Sequence, residues 1–545
     1  MRSRAVKLLA AGTLSFLMLF LLAFERNNDL FFQIKKQITI FGDVYREVAV
    51  HYIDEISPEK LMRKGIDSML ESLDPYTLYV PEGEQHQLEI LSTGSYGGVG
   101  IEAGYRGEDI VIIAPHPGYP AHRAGLRAGD IIRSIDGVEI HKMEPAEVRE
   151  MTVGNPGSVL EIVIERPGIS EPISFSLVRE RIEVKNITLS SRVGDNAEFG
   201  YVQLARFGKN AAEELRTVLL DFQNEGNLEG LILDLRNNPG GLLNEAVEIV
   251  DKFIEPGVTI VETRSRVGSN NSILSTQEVP LFENLPVVIL INKGSASASE
   301  IVAGALQDLD RAVILGETSF GKGLVQTIRP LSYNTSLKLT IAEYFIPSGR
   351  GIQALNYTQD DTLPVTEKDS RGREFKTRNG RIVTDGNGIE PDIRIESMEP
   401  SLLEVALQKE NRYLFFINHL LQNEEAAQMP DNLFEQFTRT LVEEQFTFQT
   451  PADRHISALR EDLDHFLSKE SAEDHISSLE SLVRDYKIHQ MYEHQKAIEA
   501  ELTIQWLRQT GVKEGDKEIL GLDSSIQTAV EIIGNPYKYQ TVLRP

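Results

Sequence analysis

Three serines alternate with alanines just after an apolar run of the chain, and a lone lysine follows them. The serines are Ser295, Ser297 and Ser299, and Lys322 lies between two glycines. A serine hydroxyl becomes a strong nucleophile when a neighbouring base takes its proton, and a lysine can be that base when burial keeps it neutral. These residue types predict a hydrolase that works through an acyl-enzyme.

The serines lie where a predicted strand gives way to a predicted helix. Val287 to Ile291 is an apolar, β-branched run of the length of a buried strand, and the turn 292–294 follows it. Apolar residues then recur with helical spacing, at Ile301, Val302, Ala305, Leu306 and Leu309. The first N–H groups of a helix have no partner within it and lie at the positive end of its dipole, which suits a developing oxyanion.

The same spacing has a second interpretation. Ser297 and Glu300 are three residues apart, which is the spacing of a capping box, and there the serine would only cap the helix. Spacing alone favours neither interpretation.

A second strand, turn and helix precede the serines. Residues 230–235 form another buried apolar run, which ends in a turn containing Gly240 and Gly241, and a helical pattern follows over 243–253. If the two turns lie side by side, the N–H of Gly240 or Gly241 and that of Ala298 can be directed at one substrate carbonyl. On its own, a pair of glycines after a strand is more typical of a tight turn.

The α/β region contains no histidine, since His141 is followed next by His419, and the chain has no cysteine. A Ser-His-Asp or Cys-His site would therefore need a residue from another domain, and an H-E-x-x-H zinc motif is absent. Asp308 and Asp310 are interpreted as a solvated helix end. We expect no metal and no cofactor, and lysine is the available base.

Composition excludes several classes of protein. The net charge of −27 argues against nucleic-acid binding, because nucleic-acid phosphates would be repelled. Without cysteine there is no disulfide framework, no thiol nucleophile and no lipidated N-terminal cysteine. The length of 545 residues suits three or four domains.

The N-terminus resembles a signal segment. Arg2, Arg4 and Lys7 precede an uncharged apolar run over residues 8–24, and the bulky Leu21 stands where a cleavage site needs a small residue. The run is about as long as a minimal bilayer span. We therefore expect an uncleaved anchor at residues 5–24 in the inner membrane, with the rest of the chain on the extracytoplasmic, periplasmic side.

Five regions follow from the patterns along the chain. They are an anchor or signal segment at 1–25, a helical region at 26–92, a glycine-rich β domain at 93–182, an α/β region at 183–395 and an acidic helical region at 396–545. Residues 360–381 are polar and are interpreted as a surface insertion. The C-terminal region is interpreted as a packing or homo-oligomer domain, or alternatively as a docking surface for an envelope adaptor.

The glycine-rich stretch of the β domain has the features of a carboxylate-binding loop. Successive N–H groups before a strand form a nest for a carboxylate, and a peptide can pair with the strand edge beyond it. With the segment A-G-L-x-x-G-D-I-I at 124–132, this region resembles a bacterial PDZ domain, which implies capture of a peptide C-terminus. The implied peptide-binding residues are Tyr96, Gly97, Gly98, Val99, Gly100 and Ile101.

From residue 70 to residue 395 the chain resembles the carboxyl-terminal processing (tail-specific) proteases, serine peptidases with a Ser-Lys dyad. The motifs that carry the resemblance are SLDPY at 72–76, the PDZ loop, LDLRNNPGG at 233–241, the serine stretch, GETSFGKG at 316–323, YFIPSGR at 344–350 and GIEPD at 388–392. The resemblance implies an α/β core of the crotonase-like (ClpP-like) ββα fold, with an inserted PDZ domain between helical N- and C-terminal regions.

The resemblance also implies a role for individual residues. Ser297 is the nucleophile and Lys322, 25 residues later, is the base. The remaining implied residues are Gln326, which helps to hold the lysine; Gly240 or Gly241 and Ala298, which form the oxyanion hole; and Glu300, Asp234 and Arg236, which support the dyad. The implied substrates are proteins or peptides with free C-terminal tails.

Two other functions remain open at this level. A catalytically silent PDZ scaffold or adaptor would keep the fold, although the intact set Ser297, Lys322 and Gln326 argues against it. An acyl-thioester enzyme of the crotonase type would suit the fold but not an export anchor and a peptide-binding domain.

Overall fold

The computed structural model describes residues 31–82, 85, 90, 93–141, 143, 145–354, 372–395, 400–422, 428–463, 469–510 and 515–545. The chain divides into two compact units. One comprises residues up to Tyr79 together with Leu337–Leu339, and the other comprises Val80–Ser336 and Thr340–Pro545. The predicted anchor at 5–24 lies outside the described residues. Within the described ranges, no helix has the length and apolar character needed to cross a bilayer.

The first unit is largely helical. It contains helix α1 over residues 31–51 and helix α2, Pro58–Glu71. Ser57 caps α2 by accepting the N–H of Lys60, and Pro58 takes the first helical position, where its missing N–H costs nothing. The expectation of an all-helical region over 26–92 is wrong at strand β1, Leu78–Val80.

The strands of the β domain are β2 Ser95–Gly98, β3 Ile101–Arg106, β4 Asp109–Pro115, β5 Ile131–Ile135, β6 Val138–Glu139, β7 Val159–Glu165, β8 Ile173–Val178 and β9 Glu180–Glu183, and its helices are α3 Pro120–Ala124 and α4 Pro145–Thr152. One sheet has the strand order β3-β4-β5-β7-β8, with β6 paired to β5, and β2 and β9 form a separate ribbon. Strand β3 therefore lies at the edge of its sheet.

The central sheet of the α/β region contains β10 Ile187–Val193, β11 Phe199–Leu204, β12 Gly230–Asp234, β15 Val287–Ile291, β16 Val313–Gly316 and β21 Ile393–Arg394, and the helices are α5 Ala211–Glu225, α6 Leu243–Asp251 and α7 Ala298–Asp308. The six strands lie in the order β10-β11-β12-β15-β16-β21. From β11 onward the pairs are parallel. The turns after β12 and β15 therefore meet at the same edge of the sheet.

Further strands complete this region. They are β13 Thr259–Arg264, β14 Ser272–Ser275, β17 Leu324–Pro330, β18 Ser336–Phe345, β19 Glu374–Lys376 and β20 Ile382–Thr384, with a 3₁₀ turn at Gly268–Asn270. In the second sheet β13 lies between β14 and β18, and β17 pairs with β18. Strands β19 and β20 form a hairpin.

Helices are the regular secondary structure of the described C-terminal region. Its helices are α8 Leu402–Lys409, α9 Arg412–Gln422, α10 Leu433–Glu443, α11 Pro451–Leu463, α12 Lys469–Glu493, α13 Gln495–Thr510, α14 Gly515–Leu522, α15 Ser524–Ile533 and α16 Pro536–Val542. Helices α8 to α10 share a core with Met491 and Trp506. Helices α14 to α16 instead cover one face of the α/β sheet, where the Tyr539 hydroxyl accepts the N–H of Val287 at 3.0 Å.

One sequence-based interpretation is wrong. Asp308 and Asp310 do not form a solvated helix end, because both side chains are buried, in ion pairs with Arg350 and Arg381 respectively. The described end of the predicted surface insertion, residues 372–381, belongs to the β19–β20 hairpin, where most side chains are exposed and Arg381 turns inward to pair with Asp310. The arginines that neutralise these two carboxylates lie more than 40 residues further along the chain. Local sequence cannot reveal such a pairing.

Candidate active site

The turns after β12 and β15 are joined by hydrogen bonds. The main-chain oxygen of Asn238 accepts the N–H of Ala296 at 3.0 Å and the hydroxyl of Ser299 at 2.9 Å. The Asn292 side chain accepts the N–H of Asn237 at 2.9 Å and donates to the Asn237 side chain at 3.0 Å. These bonds hold the serine turn against the glycine turn.

The three serines differ in burial and in hydrogen bonding. Ser295 and Ser299 are fully buried, and their hydroxyls donate to the main-chain oxygens of Leu235 and Asn238. Ser297 is only half-buried. Two of the serines are thus committed to holding the turns together, and Ser297 is the one of the three that is not fully buried.

The backbone of Ser297 is strained. Its φ of 55° and ψ of −113° lie in a region that non-glycine residues rarely adopt, and the residue stands immediately before helix α7. Such strain costs of order 1–3 kcal/mol and persists where the surrounding contacts impose it, which occurs often at functional sites.

The carboxylate of Glu300 imposes that geometry. Its Oε2 accepts the main-chain N–H of Ser297 at 2.8 Å and that of Lys322 at 2.9 Å. Its Oε1 accepts the hydroxyl of Ser319 at 2.6 Å and the N–H of Gly321 at 2.7 Å. A single buried carboxylate therefore binds the main chains of both predicted dyad residues.

Burial and hydrogen bonding act on Glu300 in opposite directions. Burial raises its pKa to about 7 even though four donors stabilise the ionised form. The hydrogen bond that Glu300 accepts from the N–H of Ser297 is the acidic residue's half of a capping box. Capping and a role for Ser297 in catalysis are therefore compatible.

Tyr344 makes a second link between the two residues. Its buried hydroxyl lies within hydrogen-bond distance of the main-chain oxygen of Ser297, at 3.2 Å, and of that of Lys322, so its single proton is shared between the two acceptors. Lys322 itself is half-buried. Gln326, predicted to help hold the lysine, lies on β17 and donates to the hydroxyl of Thr340 at 3.4 Å.

The glycine turn lies directly against the serine turn. A Cβ on Gly240, whose φ is 98°, would lie 2.8 Å from both Ser297 Cβ and Ala298 N. The N–H of Gly240 donates to the Asn238 side chain at 2.9 Å. In the described part of the chain, no hydrogen bond uses the N–H of Gly241 or that of Ala298.

Asp234 and Arg236 face away from the serine turn. Asp234 is fully buried, accepts the hydroxyl of Tyr201 at 2.7 Å and pairs with Arg236 at 2.6 Å. Arg236 also pairs with Asp523 of the C-terminal region at 2.8 Å. Their contacts thus link the sheet to the C-terminal helices, and the described contacts do not connect them to Ser297.

The predicted peptide-binding stretch divides into two parts. Tyr96, Gly97 and Gly98 belong to the β2–β9 ribbon, where Gly97 also accepts the N–H of Gly154 at 3.0 Å. Val99, Gly100 and Ile101 lead into the edge strand β3. These last three therefore lie where a peptide pairing with β3 would end.

Sequence reasoning gave no role to Ser319, Tyr344 or Asn238, although each stands in a motif that carried the resemblance. For Ser319 the available signal was its position in GETSFGKG, three residues before the predicted base. Among the described residues, no group of three or more histidine, aspartate or glutamate side chains is placed to hold a metal ion.

Comparison with known proteins identifies three parts of the chain. Residues 198–363 match "Peptidase family S41", residues 111–166 match "PDZ domain", and residues 403–533 match "Probable PDZ-protease, C-terminal helical domain". The predicted fold class, an α/β core with a PDZ domain and a helical C-terminal region, is confirmed.

Curated relatives are similar over most of their length. The carboxy-terminal-processing protease of Bartonella bacilliformis is 38% identical over 338 residues, which are 61% of this chain and 77% of that protein. The carboxyl-terminal-processing protease of Synechocystis sp. is 36% identical over 305 residues, 55% of this chain and 70% of that protein. A solved structure, the photosystem II D1 C-terminal processing protease, has 28% identity and a TM-score of 0.36, and the match covers 69% of this chain and 96% of that one. The chain therefore belongs to the carboxy-terminal processing protease family, the serine peptidases of family S41.

Proposed function

We propose that the protein is an exported Ser-Lys endopeptidase that cleaves proteins near their C-terminus after its PDZ domain has captured the tail. The assignment of Ser297 and Lys322 as a dyad rests on a carboxylate that both residues share. Glu300 Oε2 accepts hydrogen bonds from the main-chain N–H groups of both. A fixed main-chain separation is what a serine and its base need for proton transfer in one orientation.

The chemical steps follow from this arrangement. Neutral Lys322 takes the hydroxyl proton of Ser297, whose Oγ attacks the peptide carbonyl and forms a tetrahedral intermediate. Lys322 then gives the proton to the leaving amine, and an acyl-enzyme remains. Lys322 then takes a proton from a water molecule, which attacks the ester carbonyl, and it returns that proton to Ser297 Oγ as the ester bond breaks and the shortened protein leaves. Gln326 assists by limiting the positions that the lysine side chain can take.

We assign the oxyanion hole to the N–H groups of Gly241 and Ala298. The N–H of Gly240 already donates to Asn238, whereas those of Gly241 and Ala298 have no acceptor among the described residues. Gly240 instead allows the close approach of the two turns. Donors fixed in advance stabilise the developing negative charge without reorganisation.

Tail capture would take place at the edge of β3. The terminal carboxylate would bind the main-chain N–H groups around Val99 and Gly100, and the tail would pair with the strand from Ile101 onward. The open edge and the left-handed Gly100, with φ of 73°, support this site. The anchor proposed at residues 5–24 would place the active site on the extracytoplasmic side.

Cleavage of an unstructured protein tail tests the dyad. We expect Ser297→Ala and Lys322→Ala each to abolish cleavage without changing the unfolding temperature. Ser299→Ala is the matched control, because Asn238 keeps its bond from Ala296 and activity should stay within about tenfold of the wild type. Retained cleavage by either dyad variant would refute the assignment.

A fluorophosphonate probe separates the peptidase from a silent PDZ scaffold. Labelling of the wild type at Ser297, lost in Lys322→Ala, supports the peptidase. A chain that binds tails through its PDZ domain but neither reacts with the probe nor cleaves would be a scaffold.

A further inference from the structure

The open edge of strand β3 has two outward-facing positions after Ile101. Ile112 is the register partner of Ala103 on β4. Its N–H donates to the main-chain oxygen of Asp130, and its own main-chain oxygen accepts the N–H of Gly129, both at 2.8 Å. The N–H and C=O groups of Ala103 therefore point away from β4. Because this orientation alternates along an antiparallel pair, Tyr105 also points its groups to the open edge.

One of these positions is already occupied. The side-chain amide of Asn411, between helices α8 and α9, donates to the main-chain oxygen of Tyr105 at 3.2 Å. The same nitrogen would lie 3.2 Å from a Cβ placed on Gly104. The C-terminal helical region thus takes an acceptor on the strand edge that a bound tail would otherwise use.

Contacts on both sides hold Asn411 in place. Arg106, the last residue of β3, forms an ion pair with Glu444 at 3.2 Å, and its guanidinium lies 5.1 Å from the ring centre of Phe415. Arg412, next to Asn411, pairs with the same Glu444 at 2.5 Å. The carboxylate is shared by an arginine of the PDZ sheet and one of helix α9, so the end of β3 is fixed to the helical region.

We propose that Asn411 ends the peptide-binding groove of the PDZ domain and limits how many residues of a bound tail form main-chain hydrogen bonds with β3. This inference rests on the proposed tail capture. A tail whose last residue pairs with Ile101 places its third-from-last residue at Ala103 and its fifth-from-last at Tyr105, because pairing positions recur every two residues. The amide of the fifth-from-last residue finds its acceptor taken by Asn411.

The consequence for specificity is definite. Only the last three residues of a tail pair with β3, and the chain before them turns away from the strand. Substrate tails therefore need no extended conformation, and no free N–H, at the fifth-from-last residue. Asn411 is a specificity-determining residue that belongs to the helical region rather than to the PDZ domain.

Peptide binding to the full chain carrying Ser297→Ala tests this inference by fluorescence anisotropy. The probe is a labelled seven-residue peptide with an apolar C-terminal residue, compared with versions N-methylated at the third- or fifth-from-last amide and with a C-terminal amide. We expect the third-position methyl to weaken binding about three- to tenfold and the fifth-position methyl to change it less than about twofold.

Removing the asparagine should reverse the second result. Asn411 has φ of 51°, so Asn411→Gly keeps a backbone that glycine adopts freely and leaves the Arg106–Glu444 pair intact. The parent peptide should then bind about three- to tenfold more tightly, and the fifth-position methyl should cancel the gain. Asn411→Asp replaces the donor with a carboxylate that the Tyr105 oxygen repels, so this variant should also become sensitive to the fifth-position methyl.

Asn432→Ala, on the same helical region but away from β3, is the matched control and should leave all affinities unchanged. If neither the C-terminal amide nor the third-position methyl weakens binding, tail capture at β3 fails. Suppose instead that the C-terminal amide and the third-position methyl both weaken binding, and that the fifth-position methyl also weakens binding to the chain that keeps Asn411. Tail capture at β3 would then be supported, but the proposed role of Asn411 would be overturned. That role is also overturned if Asn411→Gly and Asn411→Asp both bind the peptide with unchanged affinity.

Discussion

Arg236 and Asp523 form an ion pair of 2.8 Å that joins the turn before Gly240 to the residue that caps helix α15. Arg236 is at the same time held by Asp234 through paired hydrogen bonds at the end of β12. The C-terminal helices are thereby connected to the turn that carries the proposed oxyanion hole. Removing them should disturb that turn as well as uncover the sheet.

The two carboxylates around Arg236 should differ in their effect on stability. Asp234 is fully buried, so Asp234→Asn breaks a buried pair and should lower the free energy of unfolding by about 3 kcal/mol. Asp523 is partly exposed, and Asp523→Asn keeps a capping side chain, so its cost should be below about 1 kcal/mol. Thermal unfolding of the two variants compares them directly. An equal loss would mean that the contact with α15, rather than the buried pair, dominates.

Glu300 should make stability depend on pH with a definite sign. Burial raises its pKa to about 7 from an ordinary value of 4.5. Between these values the folded chain keeps a proton that the unfolded chain has released, so the free energy of unfolding falls as pH rises from 4.5 to 7. The contribution of this group over the whole window is about 3 kcal/mol.

Glu300→Gln isolates that contribution, because the amide does not titrate. The difference in unfolding free energy between wild type and variant should be largest in favour of the wild type at pH 4.5, and should shrink until about pH 7. A difference that stays constant across the window would contradict the raised pKa. Denaturant titrations of both proteins at each pH provide the measurement.

Local sequence was sufficient for the elements that position the site. The run Val287–Ile291 is a strand with the expected ends, and the helix predicted over 243–253 extends over Leu243–Asp251. Buried strands and amphipathic helices have local patterns, which is why they were predictable. The choice of Ser297 among three serines came from the family resemblance, and the structure adds a physical reason in the burial of Ser295 and Ser299.

The directions of buried charged groups were not predictable in the same way. Alternation along β12 puts Asp234 on the face of Ile232, opposite Leu233, but only the fold reveals that the helices after residue 515 cover that face. The partners of Asp308 and Asp310 come from distant loops. Pairings over such sequence separations depend on tertiary packing rather than on local pattern.

Tyr344→Phe should lower catalysis with little loss of stability. The single hydroxyl proton is shared between the main-chain oxygens of Ser297 and Lys322, while the ring is buried and would remain so. Losing these bonds loosens the relative position of the two residues, and we expect kcat to fall about three- to tenfold. Cleavage kinetics with saturating substrate give kcat, and an unchanged value would show that Glu300 alone fixes the dyad.

Gly240→Ala should cause a severe and specific loss of activity. The new Cβ would lie 2.7 Å from Ala296 O and 2.8 Å from Ser297 Cβ, closer than such contacts allow, so the two turns must separate. A displacement of about 1 Å at the nucleophile costs about 100-fold in rate, and we expect kcat to fall at least that far.

Gly257→Ala is the matched control: its φ of 89° resembles the 98° of Gly240, but no atom lies within 4 Å of the added carbon. The control carries the backbone strain alone, about 1–2 kcal/mol, and should cleave substrate at nearly the wild-type rate. Equal activity losses in the two variants would show that strain, and not contact between the turns, explains the need for glycine.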